Sequence, residues 1–109
     1  MTILMYMFFF SGLLLAGLSI PMILGKIPPN GLYGFRVKKT MENPDIWYKV
    51  NTYSGKWLLG VGLVIALAAL GFSYIPGLTL DGYSYAVLAV WVVLFAVTLI
   101  ASIRYLKSL

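Results

Sequence analysis

Ile3 to Gly25, ILMYMFFFSGLLLAGLSIPMILG, is a run of 23 residues without one charged side chain. As an α-helix it would be about 35 Å long, enough to cross a hydrocarbon core of about 30 Å with some tilt. A cleaved signal peptide would need a basic leader, a shorter apolar stretch and a small-residue cleavage site. Here no Lys or Arg precedes the run and no such site closes it, so the expectation is an uncleaved transmembrane helix. Pro21 lies near its far end, where a membrane helix tolerates proline if neighbours satisfy the freed carbonyl.

Two further uncharged runs follow, Trp57–Ile75 and Ser84–Ile103. The connection between them, Pro76 to Tyr83, holds Pro76-Gly77 and Asp81-Gly82, both read as turn signals. So short a connection makes antiparallel neighbours, and these two spans should form a hairpin. Trp57, Tyr74, Tyr83, Tyr85 and Tyr105 fall where membrane interfaces are expected. Trp91, deep in the third run, carries an indole N–H in want of a partner. The expected architecture is an all-α integral membrane protein, a single membrane domain over residues 1–109 with spans at about 3–25, 57–75 and 84–103.

The rest of the composition agrees. Of 109 residues, 61% are hydrophobic and 10% charged, against roughly 45–50% and about 25% in soluble domains. With no cysteine and no histidine, disulfides, thiol nucleophiles, imidazole bases and the usual zinc sites are excluded. No metal site and no cofactor is expected. No Asp, Glu, Lys or Arg falls inside a span, so the intramembrane ionisable group that usually marks a pump or carrier is missing.

All eight cations lie in two segments. Lys26, Arg36, Lys38, Lys39, Lys49 and Lys56 separate the first two spans; Arg104 and Lys107 follow the third. Three spans put both segments on one side. The positive-inside rule makes that side cytoplasmic and leaves the N-terminus and the Pro76–Tyr83 turn outside.

The 26–56 connection is far longer than the usual 4–6 residues, and five aromatics argue that it is ordered: Tyr33, Phe35, Trp47, Tyr48 and Tyr53. Ile27-Pro28-Pro29-Asn30-Gly31 is too rich in Pro and Gly for a helix, and Leu32–Val37 suits short extended structure. Asn43-Pro44-Asp45 reads as a helix start: a cap, a proline at the first helical position and an acid at the positive end of the dipole. A short amphipathic helix should run from Pro44 towards Gly55, with Trp47, Val50, Asn51 and Ser54 on one face. That face would dock on the bilayer or the spans, or the helix would continue into the second span.

The order Ile27-Pro28-Pro29-Asn30, Tyr33-Gly34-Phe35-Arg36, Thr40, Trp47, Asn51, Gly55 between two hydrophobic spans resembles the signature of the SdpI family. These are bacterial membrane proteins named for an immunity protein against a secreted killing peptide. Val37-Lys38 stands where members often carry Thr-Pro. The resemblance implies a small non-enzymatic protein of a prokaryotic cytoplasmic membrane. It would resist a membrane-active peptide toxin or recruit a cytoplasmic signalling regulator. It also marks Asn30, Tyr33, Arg36, Thr40, Trp47 and Asn51 as candidate ligand- or partner-binding residues.

Arg36 has two readings. It is a snorkelling cation, or a guanidinium held by Asn30 and the aromatics that grips a phosphate or carboxylate bidentately. Lys38 and Lys39 suit contact with anionic headgroups, which gives an alternative function as an anionic-lipid or phosphate-binding module. An intramembrane enzyme using Glu42 or Asp45 near Arg36 is the remaining alternative, though a helix-start position is reason enough for acids. Small-residue stripes at Gly12/Ala16, Gly62/Ala66 and Ala69/Ser73 suit close helix packing, within the chain or in a homo-oligomer. No nucleic-acid partner is expected.

Overall fold

A computed structural model describes residues 2–109. Four helices follow in order: α1 (Thr2–Ile23), α2 (Lys38–Glu42), α3 (Pro44–Phe72) and α4 (Leu80–Lys107), with no strand among the described residues. Three of them, α1, α3 and α4, are long and apolar enough to cross a membrane. The molecule is elongated, 51 × 23 × 19 Å.

The loop helix and the second span are a single element. Asn43 caps α3 as its sequence suggests, its Oδ1 accepting from the backbone N–H of Asp45 at 3.0 Å and of Ile46 at 3.4 Å. Nothing then stops the helix at Gly55, where Gly alone costs only about 1 kcal/mol against Ala. At 29 residues α3 is about 43 Å long, some 13 Å more than the hydrocarbon core. Its first turns therefore stand as a scaffold beyond the span that they continue.

Local chemistry sets the other ends. α1 runs through Pro21 and closes in a Schellman turn: Gly25 N–H donates to Met22 O at 3.2 Å and Lys26 N–H to Pro21 O at 2.9 Å. Gly25 sits at φ +69°, which a side chain would resist. Asp81-Gly82, expected as a turn, belongs instead to the first turn of α4. The hydroxyl of Thr79 caps that helix by accepting from Gly82 N–H at 3.0 Å. Leu32–Val37 forms bends and irregular chain rather than a strand.

α1 and α3 pack backbone to backbone. Gly12, Ala16 and Ser19 of α1 face Gly55, Gly62 and Ala66 of α3, and all six are buried. A Cβ on Gly62 would stand 2.5 Å from Gly12 O, and one on Gly12 would stand 2.6 Å from Gly62 O. The Gly12/Ala16 and Gly62/Ala66 stripes thus pair two helices of this chain.

α4 returns antiparallel to α3, as the short connection implies. Tyr83, expected at an interface, is fully buried and donates its phenol to Ala69 O at 2.7 Å, with Phe8 of α1 packed edge-on at 6.0 Å. At the opposite end Ser54 and Ser102 share a buried hydroxyl–hydroxyl bond of 2.6 Å, and Tyr53 stacks on Tyr105 at 4.3 Å. Trp91 is half-buried and lies against a shallow cleft with Leu4, Met7, Phe8 and Ser11 of α1.

Candidate functional site

The 24–43 segment folds onto the protruding turns of α3, and its polar side chains divide into two groups. The first group builds the loop. Asn30 makes four bonds: its amide donates to Pro28 O at 2.8 Å and Tyr33 O at 2.9 Å, while its Oδ1 accepts from the N–H of Leu32 at 2.8 Å and Tyr33 at 2.7 Å. That is the full capacity of an amide side chain. Asn30 therefore holds a turn, and nothing remains with which to hold Arg36.

Trp47 is fully buried, and its indole N–H donates to Ile27 O at 2.8 Å, pinning the exit from α1 to α3. One turn on, Asn51 accepts the Phe35 N–H on Oδ1 at 2.6 Å and donates from Nδ2 to Trp47 O at 2.9 Å. Gly34 lies on this pair at φ +118°, where a Cβ would stand 2.7 Å from Asn51 Oδ1 and 2.9 Å from the Trp47 ring. Only glycine fits. Thr40, fully buried in α2, accepts from Val37 N–H at 2.9 Å and has the carbonyls of Phe35 and Val37 within 3.0 Å of its hydroxyl. Asn30, Thr40, Trp47 and Asn51 thus satisfy backbone groups that the irregular chain would otherwise leave unpaired.

Tyr33 and Arg36 form the second group. Both line a cavity of about 410 Å³ between the loop, the N-terminal half of α3 and the C-terminal half of α4. Leu58, Phe95 and Leu99 supply apolar wall, and Ser54, Thr98 and Ser102 add hydroxyls. Arg36 is exposed, with its guanidinium free of protein partners among the described residues. The Tyr33 hydroxyl is the one buried side-chain polar atom without a hydrogen-bond partner among those residues. Burial pushes its phenol above the ordinary 10.0, so it is a neutral donor at any physiological pH.

The lysines differ too. Lys38 and Lys39 are both exposed, but Lys39 Nζ donates to Leu106 O at 3.0 Å. A cation on the last carbonyls of α4 is favourable with the helix dipole. Lys39 therefore clamps the loop to the end of α4. Glu42 and Asp45 are exposed, and no carboxylate lines the cavity among the described residues. No cluster suited to a metal ion occurs among them either.

Residues 26–105 match the SdpI/YfhL protein family. The chain belongs to that family. Comparison with curated proteins and with solved structures gives no match. The family match spans the loop and the second and third membrane helices, so the scaffold and the cavity lining named above lie within the matched part, and Met22 of α1 adds wall from outside it. The sequence pattern pointed to the loop but not to the opposite wall. Ser102, Phe95 and Leu99 read simply as membrane span, and Ser54 as one position on a helix face.

Proposed function

We propose that this multi-pass membrane protein is a non-enzymatic member of the SdpI type that confers resistance to a membrane-active peptide. Family membership over residues 26–105 carries the reading. The geometry supports it through a donor-lined cavity walled by apolar residues, built where the loop covers the bundle. Such a site suits an amphiphilic ligand. We place the loop and the C-terminus in the cytoplasm, from the eight cations on that side.

Survival of cells expressing the chain, challenged with membrane-active peptides, is the direct test, with membrane protein level matched for each variant. The parent should protect, and Arg36→Lys should lose nearly as much protection as Arg36→Ala, since an ammonium keeps charge but loses the planar fork. Parent-like protection by both variants would remove Arg36 from the function. A second reading, recruitment of a cytoplasmic regulator, is favoured by Leu32, which is 95% exposed at the loop tip. Leu32→Ser would abolish recruitment while leaving peptide resistance intact.

A further inference from the structure

Among the described residues, the cavity beneath the loop is lined by donors and by no charged acceptor. Arg36 brings an exposed guanidinium and Tyr33 a buried hydroxyl, neither with a partner among the described residues. Ser54 and Ser102 share one bond of 2.6 Å between two hydroxyls, so one hydroxyl proton is left over. Thr98 turns its own hydroxyl back to Leu94 O at 2.9 Å and contributes none. The other lining side chains include Met22, Phe35, Leu58, Phe95 and Leu99. A matching ligand therefore carries an anionic, acceptor-rich head on an apolar body.

Size narrows the choice. About 410 Å³ is at the small end of ligand cavities, which run about 300–1,000 Å³, and a helix about 10 Å across would not fit. One hydrocarbon chain would. The walls belong to helices that cross the bilayer, where such chains are the surrounding solvent.

We propose that the cavity is a site for one anionic phospholipid, its phosphate held by Arg36 and the Tyr33 hydroxyl, one acyl chain lying between α3 and α4 on Leu58, Phe95 and Leu99. Guanidinium and phosphate match bidentately, and a phosphate oxygen satisfies the phenol that the protein leaves unpaired. The Lys39 clamp on Leu106 O closes the loop against α4 beside this site. The inference is independent of the peptide-resistance reading, because binding is measured without any toxin.

Native mass spectrometry of the full chain in detergent tests it, with phosphatidylglycerol, diacylglycerol and glycerol phosphate as probes. Phosphatidylglycerol should saturate at one per chain and bind at least about tenfold more tightly than diacylglycerol, which lacks the phosphate. Arg36→Ala and Tyr33→Phe should each weaken it several-fold, while Lys49→Ala, on the same side but off the cavity, should leave it unchanged. Leu99→Trp, which fills the wall without touching the donors, should also weaken it, and helicity by circular dichroism confirms that each variant is folded. Equal binding of diacylglycerol, or parent-like binding by Arg36→Ala and Tyr33→Phe, would overturn the proposal. Glycerol phosphate competing at the same concentration as the lipid would overturn it too, by showing a free-phosphate site with no use for the tail.

Discussion

The two faces of α3 make different kinds of contact. Towards α1 it presents Gly55, Gly62 and Ala66, and the backbones approach so closely that a single added methyl would meet a carbonyl oxygen. Towards α4 the contact is held at points: Ser54 to Ser102 at one end, Tyr83 to Ala69 at the other, with open grooves along Val64 and Leu94 between. Lipid tails are as apolar as leucine, so burial alone does not drive helices together in a membrane; packing and hydrogen bonds must. The first face uses packing and makes a rigid platform. The second uses a few hydrogen bonds and leaves room, and the cavity forms on that side.

Breaking the close face should have the largest effect. Gly62→Val should destabilise the protein by about 3 kcal/mol, since backbone on the facing helix cannot step aside cheaply. Gly60→Ala, whose Cβ would meet nothing within 4 Å, should be neutral. Unfolding in mixed micelles would read both, and equal effects would erase the distinction between the faces.

Next comes the platform's cover. Gly34→Ala combines a positive φ with a Cβ that collides with Asn51 and Trp47, and should cost about 2 kcal/mol. The loss should show locally, as faster amide exchange at Phe35, whose N–H bonds Asn51. Gly31→Ala, with open space around it, should change neither measurement.

The open face should be forgiving. Ser102→Ala removes the Ser54 partner, yet membrane hydrogen bonds of this kind average only about 0.6 kcal/mol. A loss above that of Gly34→Ala would show that α4 is held as firmly as α1.

The smallest effect is a titration. The Tyr33 pKa is raised from 10.0 by burial, so its stabilising contribution is complete below pH 10 and declines as pH rises through the folded value. The phenolate absorbance that Tyr33→Phe removes should therefore appear later in an alkaline titration than that of tyrosine in a free peptide, near about 10. Simultaneous ionisation would mean that the phenol is not buried.

Much of the fold was legible because periodicity and charge are local signals. The uncharged runs marked three spans, and Asn43-Pro44 marked the start of α3. The fusion of the loop helix with the second span is not legible in the sequence, since Gly55 looks like a stop until Ser19 and Met22 of α1 are seen packed upon it. Asp81-Gly82 misled for a related reason: a turn dipeptide after a Thr cap also suits the first turn of a helix. At the site, sequence gathered Asn30, Thr40, Trp47 and Asn51 with Tyr33 and Arg36, because residue type does not reveal which hydrogen bonds are already made. The division came only with the partners. Ser54 and Ser102 are 48 positions apart, and no local pattern links them.

Side chains of α3 and of the loop itself hold residues 30–37 as an ordered cover over the cavity. Hydrogen exchange on the chain in lipid nanodiscs tests it most directly. Tyr33, Phe35 and Val37 amides, bonded to Asn30, Asn51 and Thr40, should exchange far more slowly than unstructured chain. Asn51→Ala should release Phe35 first. Exchange across 30–37 at the rate of free peptide in the parent protein would mean that no such cover exists and reduce this segment to a linker.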